Sequence, residues 1–197
     1  MEKVKKGETT NIIVLDTNGF YMHGEQKMKI VDFVGDSGSG KTRTIELLID
    51  RLTKMGKKVG TMKHIHSGSF SFDSRGKDTW KHIRAGASLV MAVTENEVIT
   101  IEKASTRTVP TEELLNKFNG QDIEYLLIEG FKSRMLHLNN VKHVLCVTDV
   151  SQIFSFNEQY GNPDCIVSYV IKGINKINDV PLIQMPEEIE RLAEAVL

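Results

Sequence analysis

The sequence predicts an α/β fold with a doubly wound, mostly parallel sheet and an antiparallel hairpin at one edge of that sheet. Three observations support this fold class. Short apolar runs alternate along the chain with segments of helical periodicity. Two of these runs, Tyr125–Ile128 and Val144–Val147, are continuously apolar, as expected of parallel strands covered on both faces. A glycine-rich loop lies directly between a predicted strand and a predicted helix.

The first predicted elements surround that loop. Lys29–Val34 is a strand that ends at the loop, and apolar residues then recur at helical spacing from Ile45 to Met55. Gly56 is well placed to end this helix. Lys58–Met62 is the second predicted strand.

The later elements include the hairpin and two further helices. Leu89–Val93 and Glu97–Ile101 flank the turn residues 94–96, which predicts two antiparallel strands. Thr111–Phe118 is a helix with Thr111 as its N-cap and acidic residues in its first turn. A last helix is predicted to begin at Pro186 and to bury one face, formed by Ile189, Leu192, Ala193 and Val196.

Composition limits the classes of function. A net charge of −1 and a pI near 6.6 argue against general binding of nucleic acid or of anionic membranes. No apolar run approaches the roughly 20 residues that span a bilayer. The two cysteines form no C-x-x-C pair, which is typical of a cytoplasmic protein. We expect residues 1–28 to be a peripheral extension of unknown role and residues 29–197 to form one nucleotide-binding domain.

The glycine-rich loop carries the clearest chemistry. Residues 35–42 match the phosphate-loop (Walker A) pattern G-x-x-x-x-G-K-[ST] at every fixed position. Small residues let successive backbone N–H groups turn towards phosphates, and the following helix adds the positive end of its dipole. Lys41 is expected to reach the β- and γ-phosphates, and the Thr42 hydroxyl to bind Mg²⁺. The predicted nucleotide-binding residues are Gly35, Asp36, Ser37, Gly38, Ser39, Gly40, Lys41, Thr42 and Arg43.

An acidic residue on a neighbouring strand completes the predicted magnesium site. Tyr125–Ile128 supplies four apolar residues followed by Glu129, the form of a Walker B strand. Glu129 would lie at the carboxyl end of the sheet, where ligands of such folds bind. It could hold magnesium through water or position an attacking water. Lys41 and Glu129 are thus the candidate catalytic residues, and Thr42 and Glu129 the candidate magnesium ligands.

Residues 63–85 form a polar segment rich in histidine and charge. Taken alone, this segment could suggest a transition-metal site formed by His64, His66, Asp78 and His82. However, zinc sites have more decisive spacing, and no cysteine contributes here. We favour a switch, or a docking surface for a second anionic ligand, beside the phosphates. The residues assigned to this role are Lys63, His64, Asp73, Lys77, Asp78 and, further along the chain, Lys132.

Four motifs in order carry a family resemblance. They are the loop GDSGSGKT, Lys58–His64, the segment Gly76–Ala87 preceded by Phe72-Asp73, and Leu126–Lys132. Together they resemble the molybdopterin-guanine dinucleotide biosynthesis protein B (MobB) family over residues 29–132. The resemblance implies a P-loop GTP-binding protein, commonly homodimeric, in the cytoplasm. It also implies assistance to a guanylyltransferase that joins GMP to molybdopterin, so a molybdopterin-type ligand is a candidate as well.

The sequence departs from the expected pattern in two places. Arg75 stands where the family pattern has proline, and the guanine-reading N-K-x-D motif is absent. Thr148-Asp149 or Asn175–Asp179 could replace that motif only in part, so the assignment of GTP rests on the resemblance. No in-cis arginine finger is evident, which predicts at most weak magnesium-dependent GTPase activity. The alternatives are a non-hydrolysing module that presents a nucleotide or cofactor and a small-molecule kinase, which would need an acceptor site and an arginine-bearing lid.

Overall fold

The computed structural model describes residues 14–15, 21–22, 28–65, 71, 73–103, 109–131 and 134–197. These residues fall into two compact units. The larger unit takes the described residues up to His64 and from Leu115 to Leu197, and the smaller unit those within Ile65–Leu114. None of the helices in the described part of the chain combines the length and apolar character that a membrane crossing requires.

Sixteen helices and strands are formed by the described residues. In chain order they are β1 (Val14–Leu15), β2 (Tyr21–Met22), β3 (Lys29–Val34), α1 (Lys41–Lys54), β4 (Val59–Lys63), α2 (Asp78–Ala85), β5 (Leu89–Val93), β6 (Val98–Glu102), α3 (Thr111–Asn116), β7 (Tyr125–Glu129), β8 (Val141–Val147), α4 (Val150–Tyr160), β9 (Cys165–Ser168), β10 (Lys176–Ile177), β11 (Val180–Gln184) and α5 (Ile189–Val196).

The larger unit is built on a seven-stranded sheet in the order β10-β11-β9-β8-β3-β7-β4. Every neighbouring pair in it is parallel except β10 with β11. The chain leaves β3 towards β4, two places away on one side, whereas β8 lies on the other side of β3 and leads on to β9. The direction of winding therefore reverses between β3 and β8, where doubly wound sheets bind their ligands.

Helices cover both faces of this sheet. On one face α1 and α5 bury apolar residues against β3, β8 and β9, and on the other Ile153 of α4 packs against Val34, Leu145 and Ile166. Cys146 and Cys165 lie in the first of these cores, where burial raises the pKa of both thiols to about 12. Both cysteines are free and serve as apolar core residues. The predicted α/β fold is confirmed.

The position of the hairpin differs from the prediction. β5 and β6 do pair antiparallel, but among the described residues they form a two-stranded sheet of their own. The antiparallel strand at the edge of the main sheet is β10, which pairs with β11 across the turn residues Asn178 and Asp179. Both turn residues have positive φ, and Asn and Asp tolerate that conformation better than most residues do.

The smaller unit contains α2 and the hairpin. Asp73 accepts a hydrogen bond of 3.0 Å from Thr79 at the start of α2, and Gly86 ends that helix in the left-handed conformation. Alternate residues of β5 present an apolar row to solvent: Leu89, Met91 and Val93 are 54%, 60% and 69% exposed. Such a row marks a surface available to a partner.

A carboxyl group and an imidazole face each other in the centre of the main sheet. Asp32 of β3 is fully buried and is the register partner of His143 on β8. The Nδ1 atom of His143 is 3.6 Å from the nearer Asp32 oxygen, and neither carboxylate oxygen has a hydrogen-bond partner among the described residues. Burial raises the pKa of Asp32, and His143 offsets only part of this effect. The ionised carboxylate is therefore a source of instability.

Replacing Asp32 by asparagine should stabilise the fold in a pH-dependent way. A carboxyl group whose folded-state pKa is raised lowers the free energy of unfolding as pH climbs above the unfolded value of 3.8. The gain in the free energy of unfolding from Asp32→Asn should thus be largest near pH 7 and shrink as the pH falls towards 4. Urea unfolding at several pH values measures it, with the exposed Asp50→Asn as control. A constant difference across this range would contradict the expectation.

Candidate functional site

The phosphate loop joins β3 to α1 at the carboxyl edge of the main sheet. Gly35 has φ +136°, and a Cβ built there would lie 2.1 Å from the Cys146 carbonyl oxygen on neighbouring β8. Gly40, the N-cap of α1, has φ +89°, and its Cβ would lie 2.7 Å from the ring of Tyr169. Only glycine fits either position, because the backbone is left-handed and the neighbours are too close.

The interior of the loop suits an anion. Lys41 lies across the loop and its ammonium group donates hydrogen bonds to the carbonyl oxygens of Gly35 (2.9 Å) and Asp36 (2.6 Å). The Ser39 hydroxyl is buried and has no hydrogen-bond partner among the described residues. The first turn of α1 contains no acidic residue that would compete for its N–H groups. A donor set of this kind fits a phosphate ligand.

Thr42 and Glu129 are in direct contact. The Thr42 hydroxyl donates to both carboxylate oxygens of Glu129, at 2.9 and 3.1 Å, although the two residues are 87 positions apart. Glu129 stands at the end of β7, which is hydrogen-bonded to β3, and its side chain is only 13% exposed. A hydroxyl and a carboxylate at this distance could share one hard cation such as Mg²⁺.

Lys63 joins this pair. It ends β4 and donates a hydrogen bond of 3.0 Å to Glu129, and its ammonium group is 3.4 Å from the Thr42 hydroxyl. The next residue, His64, donates its backbone N–H to the Glu129 carbonyl oxygen at 2.9 Å. The ring of His64 also makes an edge contact with Phe131, with centroids 5.4 Å apart. The ends of β4 and β7 are thus fixed to each other beside the phosphate loop.

Two contacts at the loop are absent from the sequence prediction. Gln152 donates a hydrogen bond of 2.8 Å to the Asp36 carboxylate while its carbonyl oxygen caps the start of α4. Tyr169, after β9, packs on Gly40 and holds the guanidinium of Arg43 4.9 Å from its ring centroid. The D-x-x-Q pattern beginning at Asp149 signals the helix start, but nothing local to Tyr169 points to the loop.

The residues assigned to a switch or second ligand are divided between the two units. Lys63 and His64 lie in the larger unit beside Glu129, whereas Asp73, Lys77 and Asp78 belong to the smaller one. Lys132, like His66, lies outside the described residues. Within the described ranges, no three His, Cys, Asp or Glu side chains group as a metal site.

Residues 30–147, more than half of the chain, match the family model described as "Molybdopterin guanine dinucleotide synthesis protein B". The molybdopterin-guanine dinucleotide biosynthesis adapter protein of Haemophilus influenzae is 32% identical over 106 residues, 54% of this chain and 58% of the relative. The adapter protein of Escherichia coli is 28% identical over 112 residues, 56% of this chain and 63% of the relative.

A solved structure supports the fold independently. The crystal structure of Bacillus subtilis MobB superposes with a TM-score of 0.68, covering 86% of this chain and 99% of that one at 20% identity. An identity this low shows the fold alone. The chain spans between 47% and 63% of the length of the curated relatives that it matches.

Proposed function

The chain belongs to the molybdopterin guanine dinucleotide synthesis protein B family, and on that premise we propose that it is a GTP-binding adapter in molybdopterin guanine dinucleotide biosynthesis. One observation carries the nucleotide part of this proposal. Thr42 and Glu129 converge within hydrogen-bond distance beside a loop whose glycines and lysine fit phosphate. The adapter part is supported by the names of the relatives, which are biosynthesis adapter proteins.

Each residue of the site has a distinct task in this proposal. The loop N–H groups and the start of α1 bind the phosphates, and Lys41 neutralises charge on the β- and γ-phosphates. The Thr42 hydroxyl and the Glu129 carboxylate would hold Mg²⁺, which would supply positive charge to stabilise negative charge on the phosphates. Glu129 either meets the ion through water or orients an attacking water. Either role of Glu129 uses the same carboxylate, which is held in place by hydrogen bonds from Thr42 and Lys63.

Hydrolysis is expected to be slow. Arg43 is held over the ring of Tyr169, and Arg134 lies over the ring of Phe131. Both guanidinium groups are thus engaged with aromatic rings. Arginine fingers account for about 10³- to 10⁵-fold of the rate in phosphate-loop enzymes, so turnover without one should be low. A partner or a second subunit could supply it.

The proposed partners are a guanylyltransferase, a molybdopterin-type ligand and a second copy of this chain. The exposed apolar row of β5 (Leu89, Met91, Val93) supports self-association, because covering it would remove apolar surface from water. Co-purification of the chain with the guanylyltransferase, with and without GTP, tests the adapter role. Capture of the enzyme without magnesium-dependent phosphate release would favour the non-hydrolysing module. Failure to associate in either condition would contradict the adapter proposal.

Lys63→Met should lower the Mg²⁺ concentration that nucleotide binding requires. The lysine ammonium occupies the same Glu129 oxygen and Thr42 hydroxyl that we assign to the ion. The Lys63 side chain is 52% exposed, so water screens this ion pair and it is worth about 0.2–1 kcal/mol. Removing it should lower the Mg²⁺ concentration for half-maximal binding of a fluorescent GTP analogue by roughly two- to five-fold.

Lys58→Met is the matched control for this prediction. Lys58 is similarly exposed and pairs with Asp122 away from the phosphate loop. Its variant should leave the Mg²⁺ requirement unchanged. A higher requirement in Lys63→Met than in Lys58→Met would show that Lys63 assists the ion and does not compete with it.

A further inference from the structure

The residues assigned to Mg²⁺ lie at one side of the phosphate loop. Thr42 and Glu129 meet on the side of β3 that adjoins β7. If these two residues hold Mg²⁺, as proposed above, the terminal phosphate would lie on this side. The nucleoside then belongs on the opposite side of β3, above the carboxyl ends of β8, β9 and β11.

A rigid aromatic platform lies on that side. The ring of Tyr169 is held against Gly40, and its hydroxyl is 3.3 Å from the Thr44 hydroxyl. The guanidinium of Arg43 lies over the ring, 4.9 Å from its centroid. The turn after β9 is fixed by the buried Ser168 hydroxyl, which donates to the Val147 carbonyl oxygen at 2.8 Å. Stacked arginine and tyrosine faces of this kind bind planar bases.

An oriented carboxylate lies near this platform. Lys172 donates a hydrogen bond of 3.1 Å to Glu187, which follows β11. The Met185 N–H donates to the Ser168 carbonyl oxygen at 2.9 Å, so the turns after β9 and β11 are tied together. A hydrogen bond from its own backbone N–H, followed by Lys172 and then Arg43, lowers the pKa of Glu187. The group is therefore ionised at neutral pH and lies within the electrostatic reach of Arg43.

We propose that Arg43, Tyr169, Lys172 and Glu187 form the nucleobase seat, with Glu187 as the residue that selects guanine. An ionised carboxylate only accepts hydrogen bonds. Guanine presents two adjacent donors on one edge, N1–H and the N2 amino group, whereas adenine presents an acceptor at N1. The faces of Arg43 and Tyr169 bind any purine, and Lys172 positions the carboxylate. This inference rests on the proposed nucleotide binding. In it, Glu187 takes the guanine-reading role of the absent N-K-x-D motif.

The test measures binding of GTP, ATP and xanthosine triphosphate to the full chain with Mg²⁺. Glu187→Gln should weaken GTP binding roughly 10- to 100-fold, the range for a lost charge-assisted hydrogen bond. ATP binding should stay unchanged. Xanthosine triphosphate should bind better than to the wild type, because the glutamine amide can donate to the carbonyl group at C2. Arg43→Ala should weaken all three nucleotides alike.

Glu190→Gln is the matched control. Glu190 is also exposed and pairs with Arg51 on α1, outside the seat; its variant should bind all three nucleotides as the wild type does. An unchanged preference for GTP in Glu187→Gln would overturn the proposal that these residues form the nucleobase seat. Equal binding of GTP and ATP by the wild type would also overturn it while leaving the phosphate loop intact. Binding of neither nucleotide would refute the proposed function and the seat together.

Discussion

Lys41→Ala should reduce nucleotide affinity roughly 100-fold, since charge-assisted hydrogen bonds contribute about 1.5–3 kcal/mol each. The ammonium group lies over the loop, within 2.9 Å of the Gly35 and Asp36 carbonyl oxygens. The phosphates would lose the positive charge that we assign to Lys41, and the loop carbonyl oxygens would lose their hydrogen-bond donor. Isothermal titration calorimetry with GTP and Mg²⁺ measures the loss.

Lys54→Ala provides the control for this substitution. Lys54 is at the other end of α1, is exposed and pairs with Asp50 one turn earlier. Its loss removes one positive charge from the same helix without touching the loop. Binding should remain that of the wild type in Lys54→Ala. An affinity in Lys41→Ala within about three-fold of the control would mean that phosphates do not bind in this loop.

Gly35→Ala should damage both stability and binding. The new Cβ would lie 2.1 Å from the backbone oxygen of Cys146, an atom fixed in β8 at the centre of the sheet. The left-handed backbone adds strain of about 1–3 kcal/mol for a residue other than glycine, and overpacking costs a similar amount. We expect a loss of about 3 kcal/mol or more, which lowers Tm by roughly 6–12 °C in a chain of this size. Scanning calorimetry measures it.

A comparison with Gly56→Ala distinguishes the steric clash at Gly35 from the strain of the left-handed backbone. Gly56 also has a positive φ, of +75°, but a Cβ there meets nothing within 4 Å. This variant should cost only the strain of the left-handed backbone, about 1–2 kcal/mol. Equal melting temperatures for Gly35→Ala and Gly56→Ala would show that the loop can move away from β8. In that case its conformation is not fixed by the sheet.

Local patterns predict most of the central fold. Lys29–Val34 is observed as predicted, and the amphipathic spacing after the loop matches α1, with Gly56 just beyond its end. The last helix starts at Ile189, three residues after the predicted Pro186, because residues 185–188 form turns first. Its buried face is confirmed for Leu192, Ala193 and Val196. Periodicity identifies the buried face of a helix better than its ends.

The elements that the sequence does not reveal depend on tertiary contacts. β9 is a four-residue apolar strand with no distinctive flanking signal, and α4 buries only Ile153. The hairpin is correctly paired in the prediction, but whether it joins a sheet edge is decided by contacts far away in the chain. The same limit applies to Tyr169 and to the contact of Lys63 with Glu129, because both depend on the order of strands in the sheet.

Calorimetric titration of the wild-type chain with GTP and with ATP, each in Mg²⁺ and in EDTA, tests the proposed function most directly. We expect GTP to bind with Mg²⁺, to bind more weakly in EDTA because Thr42 and Glu129 then hold no ion, and to be preferred over ATP. Binding that does not respond to Mg²⁺, or tight binding of ATP without any preference for GTP, would contradict the assignment of this chain as a magnesium-dependent GTP-binding adapter.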